Sequence, residues 1–475
     1  MNSKIKAHPA TSWLKVLGDW LLRHQRTIKI IQWMVVIFYL VLIIVPAILP
    51  LPGRSAHIWD NLTVFAQFIF WGIWWPFVLL SMVLVGRTWC GIFCPEGTLT
   101  EAISHRGLGR AIPKWLKWPG WPFVAFSLTT IYGQMISVYQ YPKAVLIILG
   151  GSTLAAMVIG FLYGRRKRVW CRYLCPVNGV FKLLAKVAPV HYRVDQEAWL
   201  ESQNRGHEDT QSSTLNCAPM VVIRQMQGAS DCHMCGRCQG FRQAVELSVR
   251  SPNHEILNVG QRQDSHWDTI LILFGLMGIA SAAFQWSGSS WYVGLKQLLA
   301  EWLINQDILF PITLTAPWWI LTNYPLQNDV MTLLDGIVLL GYIGISALLI
   351  GSVLFCQLVI TNYFLGPWSW RRFHHLVQAF IPLAGCGVFL GLFGLTIQFL
   401  KREGIDIAYL QNLRILLLMG AGLWSLYLGI KIIHQSSPNK RKYLAYSGLT
   451  TAVMTSAAIW VLSIWPKTLM LINLF

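Results

Sequence analysis

The chain of 475 residues holds ten cysteines, and eight of them stand in patterns suited to metal chemistry. Cys90 and Cys94 lie in "TWCGIFCPEG", Cys171 and Cys175 in "VWCRYLCPVNG", and Cys232, Cys235 and Cys238 in "DCHMCGRCQGF", with Cys217 alone upstream in "LNCAPM". A C-x2-C-x2-C run wraps an iron–sulfur cubane, but where a bacterial ferredoxin places its fourth cysteine and a proline, this chain has Arg242 and Gln243. The other two elements share the form aromatic-Cys-x3-Cys-Pro, which suggests an internal repeat. Cysteines at i and i+4 share one face of a helical turn or tight coil, and the proline, lacking an N–H, marks where a helix cannot simply continue. Each element supplies two thiolates, so the pair supplies a complete cubane shell.

Several divisions of the eight thiols are open. In the favoured one, Cys90, Cys94, Cys171 and Cys175 hold one 4Fe-4S cluster, and Cys217 completes a second with Cys232, Cys235 and Cys238. In a crossed division, as in two-cluster ferredoxins, Cys94 or Cys175 completes the Cys232 set. A three-cysteine cluster with an open iron would be reactive rather than a simple relay. Zinc is disfavoured because its sites pair C-x2-C units separated by a dozen or more residues. Cys356 and Cys386, within or at the ends of apolar stretches, read as packing residues.

The elements that position these residues are membrane helices. The chain is 55% hydrophobic, carries 24 Trp and is only 12% charged, a composition that excludes an ordinary soluble protein. Its net charge of +18 lies mostly between apolar runs, where it orients the chain and meets anionic lipid headgroups; no basic face with interleaved aromatics supports nucleic-acid binding. Spanning a hydrocarbon core of about 30 Å takes roughly 20 apolar residues. Nine stretches meet that length, near 30 to 50, 63 to 86, 120 to 141, 144 to 163, 267 to 287, 331 to 356, 376 to 399, 412 to 433 and 444 to 465. The first is too long for a cleavable signal peptide and is followed by no small-residue cleavage site.

Lys4, Lys6, Lys15, Arg23, Arg26 and Lys29 argue for a cytoplasmic N-terminus. Alternation then puts loop 87 to 119, Arg165-Arg166-Lys167-Arg168, Arg371-Arg372 and Lys440-Arg441-Lys442 inside, with Lys401-Arg402 dissenting outside and the C-terminus extracytoplasmic. All eight clustered cysteines fall on the cytoplasmic side, where thiols stay reduced. The expected fold class is an all-α polytopic membrane protein of about nine transmembrane helices with a small cytoplasmic ferredoxin-like iron–sulfur insert. Residues 1–170 form a four-helix membrane region, 171–266 the cytoplasmic iron–sulfur segment and 267–475 a five-helix membrane region. The insert opens with the amphipathic "VNGVFKLLAKVAPVHY" and contains the polar linker "ESQNRGHEDTQSSTLN".

The paired "CGIFCP" and "CRYLCP" elements followed by a ferredoxin-like run resemble the NosR/NapH-type membrane iron–sulfur proteins, a group that also resembles the polyferredoxin-type assembly proteins of respiratory oxidases. The resemblance covers roughly residues 63 to 245. It implies two 4Fe-4S clusters and electron transfer between quinol or cytoplasmic donors and an extracytoplasmic redox system. By motif, Cys90, Cys94, Cys171 and Cys175 correspond to the membrane-proximal cysteines, and Cys232, Cys235 and Cys238 to ferredoxin ligands. Such relatives usually have full four-cysteine ferredoxin motifs near the C-terminus; this chain has one truncated run in its middle, five further spans and no N-terminal flavin-binding domain.

The second membrane half offers weaker signals. His374, His375 and His434 fall at predicted cytoplasmic helix ends, where interfacial placement is favoured over haem ligation. "YSGLTT", Tyr446 to Thr451, has Leu449 where an FMN-attachment element has alanine. Asp335 in "LLDGIV" reads as a half-solvated aspartate near a helix end, with proton handling beside a quinone as the sharper alternative. Segment 288 to 330, with "WLINQDILF" and "TAPWWILTNYP", predicts interfacial or re-entrant helices and a docking surface for an extracytoplasmic partner. The expectation is therefore an inner-membrane electron-transfer protein, an oxidoreductase or quinol dehydrogenase subunit among the readings. It would carry two 4Fe-4S clusters, with quinone as a further cofactor and haem or FMN less favoured. Its partners would be membrane lipid, other redox subunits and quinol. Arg87, Arg172 and Arg237 would raise the cluster potentials. The alternatives are a redox-sensing or metallo-cofactor maturation protein with the same clusters, and a transporter with a structural metal domain, which the shortage of paired charges within the spans disfavours.

Overall fold

The structure, a computed structural model, describes residues 10–53, 55–204, 215–262, 266–405, 407, 409–436 and 442–465. Most of the polar linker, Lys4, Lys6, Lys440 and Arg441 lie outside the described residues. In chain order the helices used below are α1 (Ala10–Arg23), α2 (Gln25–Ile48), α3 (Leu62–Val85), α4 (Pro95–Ser104), α5 (Trp121–Met135), α6 (Pro142–Tyr163), α7 (Val169–Tyr173), α8 (Asn178–Ala185), α9 (His266–Gly288), α10 (Ser290–Asn305), α11 (Leu333–Phe364), α12 (Trp370–Gln378), α13 (Ile381–Arg402), α14 (Tyr409–Ser436) and α15 (Lys442–Ile464).

Among the described residues, eight helices are long and apolar enough to cross a membrane: α2, α3, α6, α9, α11, α13, α14 and α15. The ninth expected span, 120 to 141, is instead the 15-residue α5. At 1.5 Å per residue it rises only about 22 Å, short of the hydrocarbon thickness. Its end is chemically marked: Ser137 takes a positive φ of 49°, and the Ile136 and Val138 amides close the final turn onto Tyr132 and Gly133. Segment 288 to 330 contains the 16-residue α10 and, among its described elements, no helix of spanning length.

The chain divides into two compact units. The first comprises Met1–Val41, Val78–Trp121 and Ser152–Gly260. Within it, strand β1 (Val190–Val194) pairs antiparallel with β2 (Val245–Val249), in the register Tyr192 to Leu247 and Val194 to Val245. Alternation turns Tyr192, Val245 and Leu247 inward, and they pack with Leu14 of α1, Trp199, Met226, Cys232 and Met234. The ferredoxin-like run is therefore built into an apolar core closed on one side by the N-terminal helix. The fit there is tight: a Cβ on Gly236, which has φ of 78°, would stand 2.7 Å from the Leu21 Cβ.

The second unit comprises Leu42–Phe77, Pro122–Gly151 and Gln261–Phe475. Its helices cross where small residues let backbones approach: a Cβ on Gly278 of α9 would lie 2.8 Å from the Ala347 Cα of α11. Ile279, Leu334, Val338, Leu339, Ile343 and Ala347 form the adjoining core. Asp335 caps α11: its carboxylate accepts from the Thr332 N–H and hydroxyl, both at 2.9 Å, and pairs with Lys296 Nζ at 2.5 Å. That capping box is a structural use for an acid near a helix end. Arg402 of the dissenting basic pair lines a cavity of about 750 Å³ with Gln67, Gln134, Tyr139 and Gln398.

Candidate iron–sulfur centres

The first unit carries all eight clustered cysteines, and local backbone geometry explains the repeat. After α3, Gly86 takes φ of 65° and breaks the helix; Trp89–Phe93 then forms one π-helical turn that ends at Cys94. The Cys94 N–H donates to the Trp89 carbonyl at 2.9 Å, and in the second element the Cys175 N–H donates to the Trp170 carbonyl at 3.0 Å. Both bonds span five residues from the aromatic residue to the second cysteine, so the two aromatic-Cys-x3-Cys elements share this closing bond, although Val169–Tyr173 of the second is α-helical. Such π-turns widen a helix and recur at functional sites. Pro95 then starts α4, for which Cys94 is the cap: its sulfur accepts from the Gly97 N–H at 3.4 Å.

Cys90, Cys94, Cys171 and Cys175 act on one another electrostatically. Burial pushes the Cys94 thiol well up, with Cys171 and Cys90 adding to the effect. The Cys175 thiol is likewise held well above its ordinary value by burial, then by Glu96, Cys171, Cys94 and Cys90. Cys171 is pushed up to about 12 by burial, against the opposing pull of Arg168 and Arg87. Thiols raised in this way, Cys94, Cys171 and Cys175, are poor thiolates until a cation joins them, which suits ligands that give up their protons to iron.

The second set forms a separate constellation. Cys217, Cys232, Cys235 and Cys238 line one small cavity of about 20 Å³, together with Tyr192, His233 and Arg237. Burial, then Cys232, Cys235 and Cys217, raise the Cys238 thiol well above its ordinary value. Cys232 is pushed up to about 12 by burial and by Cys235 and Cys217, although its sulfur accepts from the Met234 N–H at 3.3 Å. Met234 at φ of 53° and Gly236 at 78° turn the loop around the cavity. The Tyr192 hydroxyl is buried without a hydrogen-bond partner among the described residues; burial, then the Cys238, Cys232 and Cys235 thiols, raise its ionisation well above the ordinary value. A donor left over beside four thiols fits a cluster whose sulfurs accept hydrogen bonds. The break at Arg242 is also explained: Arg242 and Gln243 take φ of 54° each as the chain turns into β2, and the Arg242 guanidinium lies 5.2 Å from the Trp199 ring.

The arginines singled out by sequence separate by role. Arg87 lies 3.9 Å from the Cys90 sulfur and also holds Asn178 Oδ1 at 2.7 Å and the Ser230 carbonyl at 3.0 Å. Arg172 pairs with Asp231 at 3.0 Å. Arg237 pairs with Glu101 at 2.6 Å. Glu101 has a second partner in Arg168, at 2.7 Å, and spacing in the sequence points to neither residue. Arg168 was submerged in a basic run that reads as a topology signal, yet its side chain is 2% exposed and it donates to the Cys90 carbonyl at 2.5 Å. The signal that was available is Glu101 itself, which with Glu96 is one of two acids in a loop whose other charges are basic. Gln25 and Gln32 were missed too; they donate to the Cys235 carbonyl at 3.1 Å and the Gly91 carbonyl at 3.0 Å.

In the second unit, His374 Nδ1 lies 2.7 Å from the Thr269 hydroxyl, and His434 Nε2 lies 3.0 Å from the Tyr446 hydroxyl. "YSGLTT" lies inside α15, with the Thr451 hydroxyl donating back to the Gly448 carbonyl at 2.8 Å. These side chains are engaged in helix packing and capping.

The 4Fe-4S binding domain family matches this chain over residues 67–118 and 146–194, which contain both Cys-x3-Cys-Pro elements. The chain is also similar to the Escherichia coli (strain K12) protein named "Putative electron transport protein YccM", at 24% identity over 246 residues, covering 46% of this chain and 65% of that relative. The chain thus spans less than two thirds of the length of that relative. No solved structure matches it.

Proposed function

We propose that the protein is an inner-membrane electron-transfer protein with two 4Fe-4S centres, one held by Cys90, Cys94, Cys171 and Cys175 and the other by Cys217, Cys232, Cys235 and Cys238. The observation that carries this reading is that Cys217, Cys232, Cys235 and Cys238 line one cavity while Cys94 and Cys175 are raised by burial and then by thiols of the two Cys-x3-Cys-Pro elements. The match to the 4Fe-4S binding domain over the first set and the electron-transport name of the similar protein support it. The bound centres supply one-electron redox chemistry. Electrons would pass between a quinol or cytoplasmic donor and a membrane or periplasmic redox partner, with the N-terminus and both centres on the cytoplasmic side, as the basic segments favour.

The chain's own residues prepare the sites. Leu14, Tyr192, Met226 and Leu247 pack with Cys232 and Cys238 of the second set, and Ala156, Trp170 and Leu174 with Cys171 and Cys175 of the first. Arg87, beside the Cys90 sulfur, offsets anionic charge there and raises the potential of that site. Tyr192 offers its hydroxyl to the second.

The test is composition and spectroscopy of anaerobically purified protein. It should hold about eight iron and eight acid-labile sulfide per chain and, once reduced, show two cubane signals by electron paramagnetic resonance. Bound zinc without sulfide would sink the proposal. Reduction by a quinol analogue at a turnover-competent rate distinguishes a relay from a redox sensor.

A further inference from the structure

The loops that carry the two thiol sets are tied together three times over. The first is steric. Gly91, between Cys90 and Cys94, lies so close to the ferredoxin-like loop that a Cβ there would collide with the His233 carbonyl oxygen and stand 3.0 Å from the Cys235 amide nitrogen. The second tie is a pair of glutamines seven residues apart, hence on one face of α2. Gln32 donates to the Gly91 carbonyl at 3.0 Å and Gln25 to the Cys235 carbonyl at 3.1 Å, so one helix grips both loops.

The third tie is a charge bridge. Glu101 accepts from Arg168 at 2.7 Å and Arg237 at 2.6 Å. Arg168 in turn donates to the Cys90 carbonyl, and Arg237 stands in the chain between Cys235 and Cys238. Two guanidinium groups and one carboxylate leave one net positive charge between the sites. In a buried setting that charge acts strongly on nearby anionic centres, and from this position it acts on both.

We propose that Gly91 is the electron-transfer contact between the two centres, with Glu101 as the positioning residue that holds the contact and keeps the two potentials together. This inference rests on the two-cluster reading above. With both centres bound, one electron would leave one as the other gains it, with no bond formed or broken and no proton moved. The path is the short backbone contact from Cys90–Gly91 to His233–Cys235.

The test uses the full-length, anaerobically prepared protein. With both centres reduced, the wild type should show splitting of its paramagnetic signals from magnetic interaction between them. Gly91→Ala should keep about eight iron per chain and lose that splitting, because the loops must separate to admit the methyl group. Glu101→Gln should raise both midpoint potentials together, an effect that a merely structural role would not produce. A Gly91→Ala protein with unchanged splitting, or a Glu101→Gln protein in which neither potential moves or only one does, overturns the inference. Should Gly91→Ala fail to load iron, the wild type decides: the full complement of iron without splitting refutes the coupling but leaves the two-cluster reading intact, whereas a smaller complement refutes both.

Discussion

Arg168 Nε lies 2.7 Å from the Glu101 carboxylate, and both side chains are buried. This pair stands where sequence alone places a topogenic basic loop and an unremarked acid. Removing Arg168 leaves Glu101 buried with only Arg237, and breaking a buried pair typically costs about 3–5 kcal/mol. Arg168→Met is therefore expected to destabilise the first unit by about 3 kcal/mol. Denaturant titration of the purified protein in detergent checks this; a loss well under 1 kcal/mol would mean that water solvates Glu101.

Cys217 is the second test of the site. If it belongs with Cys232, Cys235 and Cys238 around their shared cavity, then Cys217→Ser and Cys238→Ser should remove the same paramagnetic signal and about four iron each. The signal of the Cys90 set should remain in both. Retention of the full iron content in Cys217→Ser would favour the crossed division or a cluster with an open iron.

His191 predicts a pH dependence. It lies on β1 beside Tyr192, and burial, then Arg250 and His254, push its imidazole down to about 3. The unfolded chain takes up its proton near pH 6.5, while the folded chain does not until near 3. Stability from this group is therefore complete above pH 6.5 and falls as pH drops toward 3, by up to about 1.4 kcal/mol per pH unit. His191→Asn should flatten that part of the stability profile. Denaturation midpoints at pH 7 and pH 5 measure it; equal slopes in wild type and variant would refute the assignment.

The capping box at the start of α11 gives a smaller effect. Thr332→Ala removes the hydroxyl that bonds both the Asp335 carboxylate and the Asp335 N–H. The expected loss is about 1 kcal/mol. Hydrogen exchange in the first turn of α11 should rise several-fold while that of Leu354 and Leu358, buried further along the helix, stays unchanged.

How far the sequence could be read follows from the range of the forces involved. Apolar runs of about 20 residues announce themselves locally, because a span must satisfy its own backbone and present apolar side chains along its whole length. Eight of the nine expected stretches are helices of that kind. The exception, α5, differs by a left-handed Ser137 and a closing turn that hydropathy does not register. The doubled Cys-x3-Cys-Pro was equally legible, because each element is a single turn whose five-residue hydrogen bond lies within the motif.

What remained hidden depends on residues far apart in the chain. Spacing alone left the Cys232 run to be completed by Cys217, by Cys94 or Cys175, or by no cysteine at all; that Cys217, more than a dozen residues before Cys232, lines the same cavity is visible only in the tertiary structure. Tyr192 reaches that cavity only because β1 pairs with β2 across about fifty intervening residues. Gly91 reads as an ordinary small residue until the ferredoxin-like loop is laid against it. The sequence by itself determined which residues can be ligands and which segments can be membrane helices, since thiol chemistry and hydropathy are properties of single residues and short runs. Only the tertiary structure decided that Cys217 lines the cavity of the Cys232 run and that Glu101 bridges Arg168 and Arg237. Burial removes water between such groups and makes their few ångströms of separation count, whatever their distance along the chain.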